Sequence, residues 1–208
     1  AADFRGLLKR YAAPGLANAL ATLEDEPLAS ASVGQVHRGR LRDGTAVAVK
    51  VVKADQRARF IADVRSLRRF VGWILRVYPK LERVADPLGI LDTIEQSTLA
   101  ELDLRREAAG QRQLRGIQQQ HAARYDLTRM RFPRIYEELS SESVMVSELV
   151  DGRTLDELLD RRELGYEALL ELFRLHGFFI FCVGTFHGDI HPGNLIYRDR
   201  AFYFLDTG

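Results

Sequence analysis

Apolar positions along this chain change their period several times. From residue 4 to 23 they fall at Phe4, Leu7, Leu8, Tyr11, Leu16, Leu20 and Leu23, a helical spacing broken near Pro14-Gly15. Further on, Val47, Val49 and Val51 alternate with Ala48 and Lys50. Two strands are therefore expected, Val36 to Arg40 and Ala46 to Val52, joined at Asp43-Gly44, a favoured hairpin turn. Residues 56 to 78 return to the helical period through Phe60, Ile61, Val64, Leu67, Val71, Ile74, Leu75 and Tyr78, and Pro79 closes the run. Pro87 opens another helical stretch, with residues 89 to 120 reading as one long helix. A short strand near Phe132 to Tyr136 and a stronger one from Ser143 to Val150 follow. Thr154-Leu-Asp-Glu157 has the form of a capping box. Residues 166 to 183 predict a helix apolar on more than one face, which should leave an exposed apolar patch. Two short strands, Leu195 to Tyr197 and Phe202 to Leu205, flank a turn. The order is a small sheet with inserted helices, then a mostly helical segment with a final hairpin. That is an α+β chain in two lobes, divided at 1–150 and 151–208.

Composition narrows the field. The chain has 208 residues, 46% hydrophobic and 28% charged, so a disordered or collagen-like polymer is excluded. A formal net charge of +1 excludes nucleic-acid binding driven by bulk charge. The single cysteine, Cys182, forms no internal disulfide and no cysteine-based zinc cluster, which fits a reducing compartment. The most apolar stretch, Gly177 to Phe186, is ten residues long, against about 20 for a membrane span. No signal peptide is visible. Opening on Ala-Ala-Asp and closing on Asp206-Thr207-Gly208, the chain reads as a piece of a longer protein.

Of the 30 basic residues only Lys9, Lys50, Lys53 and Lys80 are lysines, and Lys50 stands out. The run Ala29-Ser-Ala31-Ser32-Val-Gly34-Gln35-Val36 has the spacing of a glycine-rich phosphate loop, with alanine at the first two glycine positions. A lysine on the strand after such a loop would point at nucleotide phosphates; flanked by valines, it also needs an acidic partner. Glu101, Asp103 and Glu107 are the candidates, the last two sharing a helix face. Taken alone, the loop reads as an ordinary small-residue turn between strands and the acids as a solvated face.

The sharpest signal is His187-Gly-Asp189-Ile-His191-Pro-Gly-Asn194, followed by Asp206-Thr-Gly208. A carboxylate five residues before an amide, then Asp-x-Gly after a hairpin, is the order used in kinase-type phosphotransfer. Asp189 suits the acceptor hydroxyl. Asn194 and Asp206 suit Mg²⁺, which prefers hard oxygen donors. A competing reading places His187, Asp189 and His191 on one strand face as ligands for zinc or iron.

At this point the chain resembles the UbiB-type, or AarF-type, atypical protein-kinase-like family. The resemblance is carried by Pro27-Leu-Ala-Ser-Ala-Ser-Val-Gly-Gln-Val-His37, Asp43-Gly-x-x-Val-Ala-Val-Lys50, Glu101-Leu-Asp103 with Arg106-Glu107-Ala, and His187 to Asn194. It implies a two-lobe kinase-like fold with a small lobe carrying inserted helices and a truncated large lobe. It implies an atypical kinase or ATPase that binds ATP or ADP with Mg²⁺ and supports ubiquinone or other isoprenoid-lipid metabolism. Its partners would be the adenine nucleotide and a lipid or lipid-biosynthesis protein complex. Its location would be the cytoplasm or the cytoplasmic side of a membrane, reached through segments outside this chain. By the same resemblance Lys50 would bind phosphate with Glu107 as its ion-pair partner, and Glu101 and Asp103 would form the family's acidic motif. Ala29, Ala31, Ser32, Gly34, Gln35, Val36 and Ala48 would line the nucleotide, Ser147 would be the gatekeeper, and the Glu148 and Val150 backbone would meet adenine.

The sequence departs from that family in three ways. Its Lys-x-Gly-Gln element is not in the chain, Thr207 stands where Phe is usual, and the chain stops at Gly208, so activity of this piece alone is not expected. Two other readings remain: a small-molecule phosphotransferase of aminoglycoside or choline-kinase type, and a non-catalytic nucleotide-sensing scaffold.

Overall fold

The computed structural model describes residues 4–30, 34–52, 54–80, 85–184 and 190–206. Helix α1 (Phe4–Tyr11) and the single turn α2 (Leu16–Ala19) precede the long strand β1 (Leu20–Ser30). The helical reading through residue 23 is therefore corrected. Residues from Leu20 onward pair antiparallel with β2 (Gly34–Leu41), starting at Leu20 opposite Leu41. Gly39 leaves room for both leucines: a Cβ there would lie 3.2 Å from Leu20 and 3.3 Å from Leu23, a tight contact. The sheet claims both leucines that a helical period had also explained.

Strand β3 (Ala46–Val52) follows a turn in which Gly44 takes φ +89°, Asp43 Oδ1 accepts from the Thr45 N–H, and Arg40 donates to the Gly44 carbonyl. Helix α3 (Ala54–Val77) and helix α4 (Pro87–Glu101) are inserted next, joined by Arg68 pairing with Asp92 and Glu95. The expected long helix is two helices. Leu102 and Leu104 are both buried, and between them Asp103 leaves the helical region and accepts the Arg105 N–H as the cap of α5 (Leu104–Tyr125). Strand β4 (Met130–Arg131) falls slightly before the short strand expected from sequence, with Ile135 making only an isolated bridge to Ser147.

Strand β5 (Val144–Glu148) completes the first sheet, whose order is β1-β2-β3-β5 and whose pairs are all antiparallel. Beyond it lie β6 (Arg153–Thr154), α6 (Leu155–Asp160), α7 (Tyr166–Phe178) with a wider turn over Phe179–Val183, and the hairpin β7 (Leu195–Arg198) and β8 (Ala201–Phe204). Thr154 caps α6 by position, but its side chain makes no capping hydrogen bond, so the capping box is not formed. The second sheet runs β4-β8-β7-β6, with β4 parallel to β8. The fold is α+β, as expected.

Alternation gives the first sheet two unlike faces. Val47, Val49, Val51, Val144 and Val146 are buried against Leu8, Leu16 and Leu41. His37 is also buried and donates from Nδ1 to the Glu24 carbonyl. The opposite face meets α5, where Val52 and Met145 pack on Leu102, Leu104 and Ala108. A third core joins α5 and α7 to the second sheet through Leu114, Leu175, Phe178, Phe202 and Phe204. Helix α7 buries Leu175 and Phe178, while Phe173 (76%) on it and Phe181 (86%) in the wider turn after it stay exposed, so part of the apolar surface of this stretch faces outward.

Candidate active site

Lys50 sits mid-strand on β3, opposite Val36 on β2 and Met145 on β5. Its neighbours Val49 and Val51 point into the apolar core, so Lys50 points the other way, toward α5. Its Nζ donates to both oxygens of Glu107, at 2.8 and 2.7 Å, and to Asp206 Oδ2 at 2.9 Å. Glu107 lies one turn into α5, directly after the Asp103 cap. Asp206 follows β8 by two residues. Three segments remote in sequence thus converge on one ammonium group, whose side chain is 25% exposed against 13% for Glu107 and 29% for Asp206.

Burial pulls the Lys50 ammonium toward neutrality, but the Glu107 and Asp206 carboxylates outweigh it, and its pKa stands above the ordinary lysine value. Burial raises Glu107 above the ordinary carboxylate value; the Lys50 charge opposes this and Asp206 adds to it. With all three ionised the cluster carries one excess negative charge, which a cation can complement.

The turn Pro192–Asn194 places the second candidate metal ligand. His191 Nδ1 accepts the Gly193 N–H at 3.1 Å, and the Asn194 N–H donates to the His191 carbonyl at 2.8 Å. Leu205 then donates to the Asn194 carbonyl at 2.9 Å, so Asn194 lies beside the residue preceding Asp206. The Asn194 amide and the Asp206 carboxylate thus sit at one end of the β7–β8 hairpin, and both are hard oxygen donors of the kind Mg²⁺ prefers. Among the described residues no cluster of three His, Cys, Asp or Glu side chains could hold a metal. Of the zinc or iron alternative, His187 and Asp189 lie outside the described residues, as do Ala31, Ser32, Thr207 and Gly208.

Among the remaining expected site residues, Val36, Ala48 and Lys50 share one sheet face, since Val36 pairs with Lys50 and Arg38 with Ala48. Ser147 lies opposite Ala48 on β5, at the same face. Ala29 and Gln35 flank the loop, with Ala29 opposite Val36 and Ser30 opposite Gln35. Gly34 has a structural reason to be glycine: a Cβ there would come within 2.9 Å of the Val51 carbonyl. Glu148 donates its N–H to the Arg134 carbonyl, so an adenine contact from Glu148 would fall to its own carbonyl. Val150 is buried just beyond.

The acidic motif divides. Asp103 is a helix cap, held below the ordinary carboxylate range chiefly by its hydrogen bond with Arg105. Glu101 ends α4, and its side chain lies outside the described residues. Sequence reasoning missed that Lys50 bridges to Asp206, which it had assigned to the metal alone. It also missed Glu142, which joins Arg57 on α3 to Arg105 on α5. No local spacing signals either contact, because each joins segments far apart in the chain.

Among the described residues no helix is long and apolar enough to cross a membrane. Comparison with known proteins identifies the family and the fold. Over 176 residues the chain is 35% identical to a probable protein kinase UbiB of Sodalis glossinidius, covering 83% of this chain and 31% of that protein. Over 198 residues it is 33% identical to an uncharacterised protein of Mycobacterium tuberculosis, covering 92% of this chain and 39% of the relative. The chain thus spans well under half the length of these curated relatives. Among solved structures it resembles Mycobacterium tuberculosis Rv3197, determined in complex with erythromycin, at a TM-score of 0.67 and 29% identity, covering 91% of this chain and 46% of that one. The model of the ABC1 atypical kinase-like domain matches residues 3–208, so the chain belongs to that family, and its fold is that of an atypical kinase.

Proposed function

We propose that this chain is the nucleotide-binding part of an atypical kinase or ATPase that takes ATP or ADP with Mg²⁺. The observation that carries the reading is the convergence of Glu107 and Asp206 on Lys50. Lys50 would hold nucleotide phosphate as a compact point charge, and Glu107 would keep it aimed. Asp206 and Asn194 would hold Mg²⁺, which supplies charge neutralisation at the phosphates. Asp189 would orient or deprotonate the acceptor hydroxyl.

Residues Ala29 to Gln35 would cover the phosphates. Val36, Ala48 and the Glu148–Val150 backbone would enclose adenine. In this reading residues 1–150 form the small lobe and 151–208 the start of the large one, with Met130–Arg131 reaching across to the second sheet. Support of ubiquinone or other isoprenoid-lipid metabolism, partnership with a lipid or a lipid-biosynthesis complex, and work in the cytoplasm or at its membrane surface belong to the same proposal.

The test is nucleotide affinity with and without Mg²⁺, followed by single-turnover phosphate release by the full-length protein. Mg²⁺-dependent binding with release supports the enzyme. Tight binding without release supports a nucleotide-sensing scaffold, and Mg²⁺-independent binding overturns the metal assignment. Stoichiometric bound zinc would favour the metallohydrolase reading instead.

A further inference from the structure

Gln111 is buried to 2% exposure on α5, one helical turn beyond Glu107 and on the same face. Its Nε2 donates to the Phe204 carbonyl at 3.1 Å, a bond that joins α5 to β8 across 93 residues. Its Oε1 is buried without a hydrogen-bond partner among the described residues. Burying an amide with one end unmatched is costly, and a leucine or methionine would fill the same space without that cost. A purely packing role would not favour glutamine here. What glutamine adds is a directed donor to one particular carbonyl.

That carbonyl lies two residues before Asp206. Phe204 pairs with Leu195, and Leu205 donates to the Asn194 carbonyl, so the β8 end held by Gln111 leads to Asp206 and is hydrogen-bonded to the arm that starts after Asn194. From Glu107 the connections close a ring: to Lys50, to Asp206, back along the chain to Phe204, across to Gln111, and one turn along α5 to Glu107 again.

We propose that Gln111 is a positioning residue, whose side-chain amide holds the open end of the β7–β8 hairpin, which Asn194 precedes and Asp206 follows, at a fixed distance from the helix that carries Glu107. The inference rests on the proposed Mg²⁺-nucleotide reading. It predicts that removing the Gln111 donor loosens the metal ligands while leaving the Lys50–Glu107 pair, and hence metal-free nucleotide binding, in place.

The experiment measures ATP dissociation constants with and without Mg²⁺ for the full-length protein and its Gln111→Met and Gln111→Leu variants, alongside thermal unfolding. The expected result is a Mg²⁺ enhancement at least about tenfold smaller than in the unmodified protein, with metal-free affinity within about twofold and unfolding temperature unchanged or higher. On an Asp206→Asn background, Gln111→Met should produce no further loss, because the two residues act in series. An unmodified protein without any Mg²⁺ enhancement defeats the underlying reading rather than the role of Gln111. An enhancement retained in full by either variant overturns the proposal. So does a loss of affinity that is equal with and without Mg²⁺, and so does failure of both variants to fold, since each would make Gln111 a structural residue only.

Discussion

Helix α5 carries two acids four residues apart that do opposite things. Asp103 stands at the first turn, where it caps the helix and pairs with Arg105, which in turn reaches Glu142. Glu107 stands one turn later, under the first sheet, and holds Lys50. Local hydrogen bonding lowers the Asp103 pKa, whereas burial raises that of Glu107. One helix face therefore passes within a single turn from a capping site paired with a near neighbour to a charge cluster built from remote segments. The acid with a partner two residues away serves the helix. The acid with a partner 57 residues away serves the site.

The largest effect should come from emptying the inner site. Lys50→Met leaves Glu107 and Asp206 facing one another without a cation. It should abolish measurable nucleotide binding and cost about 2 kcal/mol of stability, less than the ~3–5 kcal/mol for a fully buried pair because part of the cluster reaches water. Titration calorimetry and denaturant unfolding check both. Lys50→Arg should restore some stability but no nucleotide affinity, because a forked guanidinium does not replace a point charge.

Glu107→Gln keeps the shape and removes the charge. It should reduce single-turnover phosphate release by about 10- to 100-fold, or 1.4–2.8 kcal/mol, with a smaller change in folding stability. Equal release by both proteins would contradict the assigned role of Glu107. Asp103→Ala should cost about 1 kcal/mol of stability through the lost cap while leaving the Mg²⁺ dependence of binding intact. A changed Mg²⁺ dependence in that variant would blur the contrast between the two acids.

The smallest effects are in pH, and their signs differ. The folded pKa of Asp103 is lowered, so its stabilising contribution is present above the unfolded value of about 3.9 and is lost as pH falls through the folded one. Asp103→Asn still caps but does not titrate, and should flatten that acid limb. The folded pKa of Glu107 is raised, so its contribution is present below the unfolded value of about 4.3 and is lost as pH rises through the folded one. Glu107→Gln should remove that opposite slope. Unfolding free energies measured from pH 3 to 7 separate the two.

Much of this arrangement was legible before the structure. The β2–β3 hairpin follows from valine alternation around Asp43-Gly44, and the structure places its turn there. A lysine among buried valines demanded an acid, and Glu107 is that acid. Less legible were the places where two patterns fit the same residues. Leu20 and Leu23 suit a helix by spacing but pack across Gly39 in a strand. Residues 89 to 120 suit one helix by period but break at Asp103, because Leu102 and Leu104 are both buried beside a side chain that caps. Thr154 and Glu157 have the capping-box spacing without the Thr154 capping bond.

The alternation of apolar positions, the turn chemistry and the order of Lys50, Glu107, Asn194 and Asp206 along the chain can be read from residues alone, because propensity and period are properties of short windows. Packing of remote segments is what makes Lys50 bind two carboxylates at once, lets Asp103 cap while Glu107 pairs, and ties α5 to the Phe204 carbonyl through Gln111. Those outcomes depend on which remote segment occupies the space beside a side chain. Desolvation and charge pairing act through space, and local sequence periods do not encode which distant group will be there.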